Sequence, residues 1–79
     1  MGYHIDNIPK GKLGEFSKIE EEFLEAKDAL KQGTTVMILV ELSDMIGAIE
    51  SYIEKYNMSL EDLLLFSKIT ERARKTKNK

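Results

Sequence analysis

Apolar residues recur at steps of three and four from the start of the chain's first ordered segment: Leu13, Phe16, Ile19, Phe23, Ala26 and Leu30. That step is the period of an α-helix with one face turned to a core. Lys31-Gln32-Gly33 closes the pattern, with Gly33 available for the left-handed position that ends many helices. A second helix is expected from a cap at Thr34 or Thr35 to about Tyr56. Its opening, Val36-Met37-Ile38-Leu39-Val40, is apolar on every side and would pass for a strand if read alone. Leu39, Leu42, Ile46, Ile49, Ile53 and Tyr56 then keep helical spacing for five turns, longer than a small-domain strand. An apolar circumference predicts a helix buried on several sides at once. Ser59-Leu60-Glu61-Asp62 reads as a variant capping box opening a third helix. Leu60, Leu63, Leu64, Phe66 and Ile69 follow before the segment turns basic.

The pattern predicts an all-α chain: a helical hairpin plus a third helix, assembling into an oligomeric helix bundle. Residues 1–11 read as an irregular arm, and 76–79 as a fraying basic tail. Seventy-nine residues make one small domain. A domain of this size buries only ~60% of the surface of its unfolded chain and commonly needs a staple or a partner. With no cysteine there is no disulfide and no thiolate metal site, and one histidine cannot build a zinc site on imidazoles. Association with further copies is then the expected source of stability, as a homodimer or homotetramer. No apolar run is long enough to span a membrane, and no basic segment followed by an apolar run marks a secretory signal. The expected location is cytoplasmic.

The net charge of −2 conceals an asymmetry. Residues 68–79 carry six basic residues against one acid, leaving 13 acids and six bases in the preceding 67. An acidic body with a basic tail does not read as a nucleic-acid binder. It suits divalent cations in the body and phosphate at the tail.

The acids are spaced, not scattered. Glu41 and Asp44 interrupt the apolar second helix three residues apart, so they share a face one turn apart. Burying them costs several kcal/mol per ion unless a cation or hydrogen bonds compensate. In the first helix Glu22 and Glu25 repeat the spacing, with Glu21 beside them. Glu25 precedes Gly33 by eight residues and Glu41 follows it by eight, so an antiparallel hairpin sets the pairs opposite each other. Four carboxylates on one point repel in the absence of metal, and oxygen-only sets suit magnesium or manganese. A plainer reading stands beside this one, since glutamates on an exposed helix face are ordinary, above all for Glu20, Glu21, Glu22 and Glu25.

Glu21-Glu22-Phe23-Leu24-Glu25 followed by Glu41-Leu42-Ser43-Asp44 resembles the E-E-x-x-E … E-x-x-D signature of MazG-like nucleotide pyrophosphohydrolases, in the all-α NTP pyrophosphatase superfamily. The likeness extends to Ile8-Pro9-Lys10-Gly11, Ser17-Lys18-Ile19-Glu20-Glu21, Val40 to Asp44, and Leu60-Glu61-Asp62-Leu63. The resemblance implies hydrolysis of a nucleoside triphosphate to monophosphate and pyrophosphate, with Mg2+ (or Mn2+) as cofactor. It implies metal ligands at Glu22, Glu25, Glu41 and Asp44, and catalytic carboxylates at Glu21 and Glu22, with Glu21 in the outer shell or on a second metal. It further implies phosphate contacts from the basic segment, where Lys68, Arg72 and Lys75 are the candidates. That segment lacks the asparagine many family members carry there, and basic residues at a helix C-terminus also favour its dipole.

The remaining residues carry plainer readings: His4 has no role, Met37, Met45 and Met58 are filler, Phe16 and Phe23 are core, and Tyr52 and Tyr56 pack helices or stack a base. Lys12 and Lys18 lie near enough to approach phosphate. Two rivals to the enzyme stay open, a non-catalytic helical interaction module and a degenerate nucleotide-binding family member.

Overall fold

A hairpin of two long helices forms the body of the chain, and a third helix leaves it. The computed structural model describes residues 4–77, with side chains through residue 75. Helix α1 spans Phe16–Gln32, α2 Thr35–Ile53 and α3 Leu60–Lys77, with a single 3-10 turn at Glu54–Tyr56; no strand occurs among the described residues. The fold is all-α, and residues 78–79 of the predicted tail lie outside the described part.

Three local devices set the boundaries. Gly33 ends α1 at φ 75°, donating its amide to the carbonyls of Ala29 and Leu30 at 3.1 and 3.0 Å, a left-handed cap that costs glycine nothing. Thr34 then starts α2 from extended backbone, without a side-chain cap bond. So short a turn forces α1 and α2 antiparallel. At the far end Asn57 turns left-handed (φ 59°), and Ser59 and Asp62 cap α3 reciprocally. Ser59 donates its amide to Asp62 Oδ2 at 2.8 Å, and the Asp62 amide donates to Ser59 Oγ at 3.3 Å. The first helix begins three residues later than its periodicity predicts. Leu13 and Gly14 sit in a turn closed by the Glu15 amide on the Lys12 carbonyl, with Gly14 at φ 92°.

The arm lies along α1, antiparallel to it. His4, Ile5 and Asp6 meet Asp28 and Lys31 near the helix end, while the Gly11 and Lys12 amides meet Glu21 and Ser17 near its start. A Cβ on Gly11 would overlap the Ser17 carbonyl and the Lys18 Cα. Glycine is therefore what lets the arm touch the helix backbone.

The interior corrects several expectations. Its apolar part is small: Ala26, Ala29, Ala48 and Ile53. Its largest fully buried side chains are Glu41 and Asp28. Helix α2 turns Glu41, Met45, Ala48 and Tyr52 inward and leaves Val36, Leu39, Val40, Leu42 and Ile46 exposed, so it is buried on one stripe rather than all round. Phe16 and Phe23, expected in the core, are half exposed. Alanines at the seam admit close approach of the two helices, which bulky leucines and isoleucines on that face would prevent. Helix α3 packs on the end of α2 and not on α1. The Cα envelope is only 17 Å in its shortest dimension, thin enough to leave no third layer over the hairpin. Nothing among the described residues covers the outer face of α2.

Candidate metal centre

The hairpin seam carries carboxylates from both helices. Glu22 and Glu25 on α1 face Glu41 and Asp44 on α2, as their equal distances from the turn require. The four do not meet at one point. One set joins Glu22, Glu41 and Asp44, and another joins Glu21, Glu22 and Glu25; in each, one donor atom per residue lies within 4.8 Å of the others. A third joins His4, Glu25 and Glu41. Glu22, Glu25 and Glu41 each belong to two of the sets and so stand at their crossings.

Burial makes this more than a charged surface. Glu41 is 1% exposed, and neither of its carboxylate oxygens has a hydrogen-bond partner among the described residues. Glu22 is 5% exposed; Lys18 Nζ lies 3.1 Å from its Oε2, while its Oε1 has no partner. Asp44 is exposed beside a shallow apolar hollow formed with Val36, Leu39, Val40 and Ser43. Unpartnered carboxylate oxygens at a buried seam cost several kcal/mol unless a cation meets them. The donors are hard oxygens, suited to magnesium or manganese.

Proton affinities follow the same geometry. Burial, with the charges of Glu22 and Glu21 beside it, raises the Glu25 carboxyl from 4.5 to about 7. Burial and the neighbouring Asp44 raise Glu41 as well. Glu21 moves the other way: burial would raise it, but the Gly11 amide at 2.8 Å and Lys18 Nζ at 3.1 Å hold it below the usual range. Glu21, expected as a catalytic carboxylate, is thus the anchor of the arm and the partner of Lys18. Lys18, expected near phosphate, is engaged by Glu21 and Glu22, which raise its pKa.

Two residues that the sequence reading did not place there enter the site. Asp28 is fully buried, and its Oδ2 accepts from the Ile5 amide at 2.8 Å, from His4 Nδ1 at 2.9 Å and, more weakly, from the Asp6 amide at 3.5 Å. Burial would raise its carboxyl, but these donors overcome that and lower it. The imidazole so held brings Nε2 to 3.4 Å from Glu41 Oε2 and 3.9 Å from Glu25 Oε1. Asp28 continues the three-residue spacing of Glu22 and Glu25, a usable clue; His4 lies 24 residues away in an arm without periodicity.

The predicted phosphate contacts lie apart from this seam. Lys68, Arg72 and Lys75 line a hollow on exposed α3 together with Glu71, which Lys75 approaches at 3.4 Å. None of the seam carboxylates lines it. Tyr52 and Tyr56 pack as helix aromatics, edge to face with hydroxyls 2.7 Å apart. No known protein family, no curated protein and no solved structure matches this chain.

Proposed function

We propose that this chain is a MazG-like, metal-dependent nucleoside triphosphate pyrophosphohydrolase, working in the cytoplasm as a homo-oligomer with Mg2+ or Mn2+. The observation that carries the reading is the unpartnered, 1%-exposed Glu41 carboxylate between Glu22, Glu25 and Asp44. Glu22, Glu41 and Asp44 would hold the ion, with Glu25 alongside. When bound, it neutralises phosphate charge and lowers the pKa of water attacking the triphosphate. The chain's own groups pre-arrange the rest. Lys18 fixes Glu21 and Glu22, the alanine seam sets the spacing of the helices, and the arm fastened at Gly11 and Asp28 walls one side.

Exposed apolar faces support the homo-oligomer in this reading. Leu39, Leu42 and Ile46 on α2, with Leu64, Leu65, Phe66 and Ile69 on α3, are all more than 40% exposed in one copy. A second copy laid on α2 would cover the first set, and could bring its basic helix toward a neighbouring seam. The same exposed faces favour the rival reading, a helical interaction module without turnover. Incubation with a panel of nucleoside triphosphates and magnesium separates the two. The enzyme releases monophosphate and pyrophosphate in equal amounts and stops when the metal is chelated. An oligomer that hydrolyses nothing in the panel is the interaction module.

A further inference from the structure

We propose that the His4 imidazole and the Glu25 and Glu41 carboxylates form a mixed nitrogen–oxygen site for a first-row transition dication, of the manganese–cobalt–zinc class. It lies beside the all-oxygen Glu22–Glu41–Asp44 set and shares Glu41 with it. The proposal rests on the carboxylate seam holding a dication and does not require the hydrolysis.

The ring's orientation is fixed from behind. Asp28 can only accept when ionised, so the 2.9 Å contact puts the proton on Nδ1. In the neutral ring this tautomer turns Nε2, a lone-pair atom, toward Glu25 and Glu41. A carboxylate behind a histidine that faces further ligands is the usual outer-shell arrangement of a metal-bound imidazole. Glu41 Oε2, 3.4 Å from Nε2, has no hydrogen-bond partner among the described residues despite its burial.

The spacing also fits. Donors bonded at about 2.0–2.2 Å to a tetrahedral ion stand roughly 3.3–3.6 Å from one another; the Glu41 oxygen at 3.4 Å from Nε2 falls in that range, and the Glu25 oxygen at 3.9 Å must close in slightly to reach it. A hollow of about 250 Å³ lined by His4, Asp6, Ile8, Lys10 and Glu25 gives access from solvent. Imidazole favours transition ions, whereas magnesium keeps to oxygen. His4 therefore makes one position selective and leaves the other hard.

The chain has one histidine, so any imidazole coupling on a bound ion in tag-free protein comes from His4. Pulsed electron paramagnetic resonance of the Mn2+-loaded protein should show nitrogen coupling, lost in His4→Gln. Calorimetry should show Mn2+ and Co2+ affinity falling about 10–100-fold in that variant, with Mg2+ affinity changing less than about threefold. Bound manganese without imidazole coupling overturns the proposal. So does an equal loss for magnesium and manganese, which would make His4 only an anchor of the arm. In both cases the carboxylate reading survives; a wild type that binds no dication removes both. Coupling without hydrolysis keeps this site and removes only the pyrophosphohydrolase.

Discussion

Replacing Glu41 by glutamine asks whether the seam tolerates a buried negative charge because a cation is meant to meet it. Glu41 is 1% exposed, both oxygens lack hydrogen-bond partners among the described residues, and burial together with Asp44 raises its pKa. An isolated buried carboxylate costs several kcal/mol. The amide of nearly the same shape leaves a neutral polar group short of partners, a cost of about 1–3 kcal/mol. The difference favours Glu41→Gln in metal-free protein by about 1–2 kcal/mol. For a chain of this size that is roughly 4–16 °C in Tm. Calorimetric melts at pH 7 in chelator and in millimolar manganese provide the comparison. Metal should raise the Tm of the wild type by mass action on the native state and do much less for the variant. A less stable variant combined with a metal-insensitive wild type would refute the reasoning. Glu41 would then be held by its 3.4 Å contact with His4 Nε2, with no room for a metal.

Metal-free stability should also fall between about pH 4.5 and 7. A carboxyl raised to about 7 at Glu25 binds more protons folded than unfolded, so rising pH through that window favours unfolding. With the groove open to water we expect ~1–2 kcal/mol, read from denaturant melts at each pH; a flat profile contradicts it. Glu21 and Asp28 have the opposite sign, and their support is lost as pH drops below the ordinary carboxylate range. Gly11→Ala should cost ~1–3 kcal/mol, because its methyl meets the Ser17 carbonyl; a variant as stable as wild type would show that the arm does not sit on α1. Arg72→Ala with Lys75→Ala should raise KM for the triphosphate if a neighbouring copy presents that helix to the seam. If the pair only favours the helix dipole, kinetics stay unchanged and a few tenths to ~1 kcal/mol of stability is lost.

The helices, the Gly33 cap and the Ser59–Asp62 box were readable from sequence because each is set within a turn or two of chain. The opposition of Glu22 and Glu25 to Glu41 and Asp44 was readable too, since a two-residue turn leaves no other register. Which face of α2 points inward was not. The leucine and isoleucine stripe is the more hydrophobic, but alanines at 26, 29 and 48 let the helices approach along the acidic side. A hydrophobic pattern cannot tell a face that meets its own chain from one that meets another copy. The arm was equally silent. His4 and Gly11 act through single long-range contacts, with Asp28 and with Glu21 and the backbone of α1, and no periodicity encodes them.

The most direct test of the metal centre is a magnesium titration followed through the side-chain carboxyl carbons by nuclear magnetic resonance. The account predicts saturable shifts at Glu22, Glu25, Glu41 and Asp44, while exposed Glu20, Glu50, Glu61 and Glu71 stay in place. A non-saturating drift of the exposed glutamates, with the seam carboxyls unmoved, would contradict it.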